Sequence, residues 1–564
     1  MNYQKIRSSS ILTVSVLIFC FIYTGPAFAK EFKYVEDFVD LGYDNTDIAG
    51  YVSAQDCKTC HPRHFDEWRI SNHSYGQISP FFNEFAKVIN QKTSNTTGTF
   101  CTRCHSPLSA DLNEPSGTPL HLQRKISLEG VTCVVCHRIP KRHGRSRGEL
   151  VIEKGVLEEK LYGPFDKIEP IPLGRDNKKT HATMQLPFIK KAEFCGQCHD
   201  VSAPNGFRLE DLFTEYKNSP AAREGTTCQD CHMGTIQGVK SPRAVGPIAV
   251  ITGKEFKNRT LSDHSFAGPD YSVLPITQFP IRPNEWPELM DDPNFYEWLS
   301  KVREKLKDGR KLNRLDNRKF EKFQSLIQKS EELLATATRK RHELLRNSTT
   351  LSVSVPKSIE RGSIIPIAVT IFNKISGHAF PAGFSAERQV WLEVKVANEA
   401  GEIVYQSGDL DSNGDLRDNK SMDVLTGKAK YDHDLFNLQS KFKIKPIAGT
   451  ERTDHFPIPR DIDNFAFTRP PAFLTQSYNA PFEVRQQKNG LLPLQSRTAK
   501  YQARTKGDSA YYDVSVKFNF RHFAPILLKQ LEAQKFIPKL EVVELDSKNI
   551  RVTVEENAKE NKGN

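Results

Sequence analysis

The sequence predicts an α+β chain of several domains: a mostly α-helical and loop-built N-terminal unit, a helical pair, and a C-terminal antiparallel β-sandwich of immunoglobulin-like class. Three observations carry this. Ten cysteines form five regular pairs between Cys57 and Cys231, in a stretch where Pro, Gly and Asn are frequent. Apolar residues then recur at helical spacing from Phe295 to Leu345. From Leu351 onward the apolar period falls to two.

The chain has 564 residues, 38% hydrophobic and 26% charged. That allows roughly two to four domains with buried cores. Only one apolar run nears membrane-spanning length, which excludes a multi-pass membrane protein. Lys5 and Arg7 precede the apolar run Ile11–Tyr23, Gly25-Pro26 breaks it, and Ala27-Phe28-Ala29 makes a small-residue cleavage site. Residues 1–29 are therefore expected to be a secretory signal cut after Ala29, the competing reading being an uncleaved anchor. Cys20 lies inside the run behind bulky Phe19, which argues against a lipoprotein site. The expected divisions are a signal at 1–29, a cysteine-rich domain at 30–290, a helical hairpin at 291–349, a β-sandwich at 350–555 and a disordered tail at 556–564. A bacterial periplasm is the expected location, with cell-surface association as a variant of it.

An oxidising compartment invites a disulfide reading of the cysteines. Their spacing argues otherwise. The pairs are Cys57/Cys60, Cys101/Cys104, Cys133/Cys136, Cys195/Cys198 and Cys228/Cys231, and each is followed at once by a histidine: His61, His105, His137, His199 and His232. Histidine is only 16 of 564 residues, so chance does not place one after every pair. Zinc does not need histidine at that fixed offset, and a thioredoxin-like C-x-x-C normally occurs once. C-x-x-C-H is the attachment motif of c-type haem. Two thiols bond to the two vinyl groups on one porphyrin edge, and the histidine beneath the ring gives a nitrogen to iron. Five covalently attached haem c groups are expected. Five in so short a stretch leave little chain for an apolar core around each, so a haem-packed domain of loops and short helices is expected.

The haems change the charge argument. The net charge of +11 falls on loss of Lys5 and Arg7, and each reduced haem adds about −2 from its propionates, so the holoprotein comes close to neutral. The basic balance is then no sign of nucleic-acid binding, and none is expected.

The helical pair is expected to begin at Asp292-Pro293, a cap followed by an N1 proline. Phe295, Trp298, Leu299, Val302 and Leu306 follow, and Gly309 ends the run. A second helix is expected from about Asp316, with Phe320, Phe323, Ile327, Leu334, Ala337, Arg341 and Leu345 on one stripe. Residues 235–290 read as an irregular wrapping segment, and 405–505 as mostly long loops. Strand alternation is clear at Leu351–Val355, Val390–Val396, Tyr512–Phe520 and Ile550–Val554.

The stretches Cys57–Trp68 with Ser71-Asn72-His73, Gly130–His137, Phe194–Asp200 and Gly225–Met233 resemble exported multihaem cytochromes of the cytochrome c-554 type. The chain is also similar to the wider group of ammonia-forming nitrite reductase and hydroxylamine oxidoreductase. The resemblance covers about residues 50–270 and implies electron-transfer haems. It departs from each type: the c-554 type has four haems, the nitrite reductase needs a C-x-x-C-K motif that is absent here, and hydroxylamine oxidoreductase has eight haems.

The second axial ligand then decides the chemistry: a histidine there saturates the iron for electron transfer, whereas an open position binds substrate. His73, placed where the c-554 type often carries a distal ligand, is one candidate, and His264, His121 and His181 are the others assigned to iron. His143, in a basic loop, and His64, three residues from His61, read as ordinary surface histidines. His378, in the Gly- and Pro-rich turn Gly377–Gly383, reads as structural. Met184 and Met233 are minor alternatives. No catalytic residue is assigned.

The favoured function is electron transfer between redox partners of a respiratory chain, such as a membrane quinol-oxidising complex or another cytochrome complex. The alternative is an oxidoreductase with one open haem acting on a small nitrogen or sulfur compound. The β-sandwich is expected to offer a docking surface in either case.

Overall fold

The computed structural model describes residues 50–555, apart from 93–94, 96, 143–147, 174–178, 203–207, 287–293, 446–451, 454–482 and 506–508. The expected signal, the tail, His143, most of the basic loop and the expected Asp292-Pro293 cap lie outside the described residues. The chain is a mixed α and β structure with a sheet-rich C-terminal region.

The N-terminal unit is built from short helices, because Pro, Gly and capping residues interrupt the chain every few positions. Among the described residues, six of its helices and helical turns begin with Pro, where the missing N–H costs nothing. Its apolar side chains gather in small clusters, one of which joins Tyr51 and Val52 to Leu108, Ile126, Val134 and Val135. Buried Glu129 ties two motif helices together: its carboxylate accepts from Ser53 Oγ, from Ala54 N at 2.9 Å and from Thr132 Oγ1 at 2.6 Å.

The segment expected to wrap irregularly contains an antiparallel hairpin, Ala244–Ile251 with Lys254–Leu261. Its second strand, KEFKNRTL, is mostly polar, so period-two alternation gave no signal. The hairpin braces the first motif: Val250 N donates to Cys60 O at 2.8 Å.

The helical pair forms as expected, at Phe295–Lys307 and Arg314–Asn347. The first cap is Asn294, and Gly309 (φ +69°) follows the helix end, a backbone state that only glycine adopts without strain. The second helix starts slightly before Asp316, because Asn313 accepts from the Asp316 amide and caps it. The helices run antiparallel: Phe295 meets Phe323 with ring centres 4.7 Å apart, and Trp298 Nε1 donates to Asp316 at 2.7 Å. Among the described residues, no helix is long and apolar enough to cross a membrane.

The C-terminal region has two principal sheets. One orders Ile403–Ser407, Gln389–Asn398, Tyr511–Arg521, Val542–Glu555 and Ser358–Glu360; the other orders Ser496–Arg504, Ile364–Asn373 and Thr349–Ser354. Their inward faces share one core. Val390, Leu392, Val394 and Val396 lie opposite Phe520, Phe518, Val516 and Val514, and all are fully buried. The expected all-antiparallel pattern is corrected at one edge, where Ser358–Glu360 pairs with Val542–Glu555 in parallel. That strand is only three residues long and takes a free sheet edge on the way to the other sheet. The region expected as loops also holds strands, including Ser496–Arg504. Its exposed face carries Ser496, Thr498, Lys500, Gln502 and Arg504, and Arg497 with small Ala499 and Ala503 on the other face weakens the apolar alternation.

The sheet region packs directly on the N-terminal unit. Phe81, Phe85 and Val273 share an apolar cluster with Phe523, Leu528, Leu531 and Phe536. Asp270 accepts from Arg388 at 3.1 Å and lies 3.0 Å from His522 Nε2. Tyr271 OH donates to Lys539 O at 2.9 Å and accepts from Glu541 N at 2.7 Å. This face is therefore already occupied, which restricts the docking role expected of the sandwich to its other surfaces.

Candidate functional site

Each C-x-x-C-H motif is wound into a helical turn. His61 N donates to Cys57 O at 2.8 Å, His105 N to Cys101 O at 3.2 Å and His199 N to Cys195 O at 3.1 Å. Residues three and four apart share one helical face, so both cysteines and the histidine of each motif face the same way. None of the ten motif cysteines is fully buried, and none pairs in a disulfide. Desolvation pushes Cys136 up to about 12 and Cys231 up to about 11, whereas contact with Cys104 lowers Cys198.

The motifs touch one another. Cys57 lies close enough to Cys133 to shift its titration, as Cys198 does for Cys104 and Cys195 for Cys228. Cys136 also feels the charge of Cys198. The first motif therefore adjoins the third, the third the fourth, and the fourth both the second and the fifth.

Four motif histidines each face a second histidine. The ring centres are 6.1 Å apart for His61 and His181, 6.4 Å for His199 and His73, 6.4 Å for His137 and His264, and 6.3 Å for His232 and His378. Two imidazoles bound through nitrogen to opposite sides of one metal, at about 2 Å each, have ring centres about 6 Å apart. The four separations fall at that value.

The hydrogen bonds fix which nitrogen is free. His61 Nδ1 meets Ile248 O at 2.7 Å, His137 Nδ1 meets Tyr162 O at 2.6 Å, His264 Nδ1 meets Ser262 O at 2.8 Å, and His378 Nδ1 meets Ala379 O at 2.9 Å. His181 Nδ1 meets Ala182 O at 3.2 Å. A carbonyl only accepts, so in each case Nδ1 carries the proton and Nε2 keeps the lone pair a metal needs. Desolvation lowers His73 to about 3 and His137 and His232 to about 4, which keeps these rings neutral and able to bind metal. His199 differs. Burial acts against its charge, but the Glu210 carboxylate, 3.4 Å from Nδ1, overcomes this and raises it to about 9.

Residues 80–241 match the NapC/NirT cytochrome c family, N-terminal region. The match spans under a third of the chain and includes four of the five motifs, those at Cys101, Cys133, Cys195 and Cys228. The crystal structure of a penta-heme cytochrome c552 from Thermochromatium tepidum has a similar fold. It covers 89% of this chain and 99% of its own, with a TM-score of 0.51 and 15% identity. That coverage extends beyond the N-terminal unit into the sheets. No curated protein matches the chain. Multihaem cytochromes of the NapC/NirT kind bind haem c covalently and carry electrons, and this is the coarse function of the domain.

The remaining candidates separate clearly. His121 is exposed on the turn Leu120–Leu122, and among the described residues no motif histidine lies against it. Met184 is 42% exposed. His105 stacks on Phe82 with ring centres 4.1 Å apart. His64 is not a surface histidine: it lies 6.1 Å from His61 and 4.8 Å from His264, and forms a cluster with Glu67 and His264. It cannot oppose His61 across a porphyrin, because both leave the chain within one helical turn. His378 lies against His232, a placement that sequence reasoning did not foresee. Its Gly- and Pro-rich turn was a signal for presentation, but its position in the sheet region hid the target.

Proposed function

We propose that the chain is an exported, periplasmic pentahaem c-type cytochrome, related to the c-554 type, that passes electrons between redox partners of a respiratory chain. Haem c would attach at Cys57/Cys60, Cys101/Cys104, Cys133/Cys136, Cys195/Cys198 and Cys228/Cys231. His61, His105, His137, His199 and His232 hold the irons from the motif side. His181, His264 and His73 serve as second ligands to the first, third and fourth haems. The carrying observation is the shared spacing of the histidine pairs. A metal held on both faces by imidazole has no place for substrate and changes oxidation state with little rearrangement, which suits a relay.

In this reading the polypeptide orients and tunes. Backbone carbonyls fix the ring tautomers, Glu129 locks the first and third motifs side by side, and the motif contacts set the order in which electrons move. The fourth motif is the branch point between the second, third and fifth. A quinol-oxidising membrane complex or another cytochrome complex is the partner class.

A ferric EPR spectrum of the purified holoprotein, with and without nitrite, tests the proposal. Low-spin signals that nitrite leaves unchanged are expected. A high-spin signal that moves on adding nitrite would overturn it in favour of an oxidoreductase acting on a small nitrogen or sulfur compound.

A further inference from the structure

We propose that His378, from the sheet region, is the second axial ligand of the haem attached at Cys228 and Cys231, so that the C-terminal domain completes the fifth haem site. The proposal rests on the reading of that motif as a haem c site. Its ground is the placement of His378 against His232. Their ring centres are 6.3 Å apart, between the 6.1 and 6.4 Å of the three pairs formed inside the N-terminal unit, and their planes differ by 15°, closer to parallel than in those pairs. His378 Nδ1 donates to Ala379 O at 2.9 Å, so Nε2 is the nitrogen left with a lone pair.

The turn that presents His378 is held from both sides. From its own domain, Asn373 Nδ2 donates to His378 O at 3.3 Å. From the N-terminal unit, Ala221 N donates to Ser376 O at 3.1 Å, and Glu215 accepts from Ala379 N at 3.1 Å. Lys488 reaches across to pair with Asp211 and Glu215. These contacts lie on the two short helices just before the fifth motif, Leu212–Lys217 and Pro220–Arg223. A ring serving only as filler would not need its turn anchored to the elements that carry the facing motif. The same anchoring gives a ligand atom a defined position, as metal coordination requires.

The test uses the full-length holoprotein. Intact mass and the mass of the peptide bearing Cys228 and Cys231 first establish whether wild type carries haem there; a bare peptide would sink the haem reading itself. In His378→Ala, all haems are expected to stay attached while one low-spin ferric component becomes high-spin, and added imidazole is expected to restore it. Retained haem with an unchanged EPR spectrum would overturn the ligand assignment alone. His378→Met covers the case in which the alanine variant fails to fold. A thioether ligand is expected to keep that haem low-spin and raise its potential relative to wild type, and unchanged potentials in a fully loaded His378→Met protein would equally overturn the assignment.

Discussion

At the scale of single residues, what distinguishes the haem sites is the partner of each imidazole Nδ1. Neutral carbonyls accept from His61 and His137, whereas a carboxylate, Glu210, faces His199. A negative partner pulls the Nδ1 proton and makes the ring a stronger donor, which favours ferric over ferrous iron. The fourth haem is therefore expected to have its potential held down, at the point where the motifs branch. Glu210→Gln keeps an acceptor and removes the charge. Its expected effect is a rise of about 60 mV in one of the redox components, a tenfold change in a one-electron equilibrium, with the others unmoved. A redox titration followed by haem absorption reads this, and five unchanged components would refute the role given to Glu210. The motif side of the proposed sites was legible in the sequence, because two cysteines and a histidine recur within five consecutive positions. The distal side was not. His73 meets His199 and His378 meets His232 only through the tertiary fold, and no local spacing records that.

At the scale of elements, legibility followed how strongly each pattern departed from its surroundings. The long helix at Arg314–Asn347 and the strands at Gln389–Asn398 and Tyr511–Arg521 carry regular apolar periods, and the sequence places them correctly. The hairpin at Ala244–Ile251 and Lys254–Leu261 stays hidden because much of it is exposed, Val245 included, and so needs no buried stripe. The interface between the sheets and the N-terminal unit was also invisible. Its key segment, Phe523 to Phe536, looks like a loop after a strand, yet Phe523 packs edge-on against Phe81 with ring centres 4.8 Å apart and stacks on His522 at 3.9 Å. Phe523→Ala would leave a cavity between the two regions and is expected to cost about 3–5 kcal/mol. Because the cluster belongs to both regions, denaturant unfolding followed by the haem Soret band and by far-UV circular dichroism should shift together. A shift in the circular dichroism transition alone would show that the regions unfold independently.

At the scale of the whole molecule, the cofactors and the polypeptide balance each other's charge. The chain carries 79 Lys and Arg against 68 Asp and Glu, a formal net charge of +11, and a sequence isoelectric point near 8.9. An exported relay with so positive a surface would bind acidic partners indiscriminately at low salt. On the proposed reading, five propionate pairs, together with removal of Lys5 and Arg7 in a cleaved signal, would bring the reduced holoprotein to about −1. Its isoelectric point is therefore expected close to neutrality, and isoelectric focusing of the haem-stained protein measures it. Each missing haem should move the band upward by about two charges, so partly loaded material would resolve as a ladder between the neutral band and the basic end. A single band near 8.9 that stains for haem would show that the propionates are compensated by something other than the excess of basic side chains. Association with a partner complex should likewise depend only weakly on ionic strength, because a near-neutral body steers by local patches rather than by its net field.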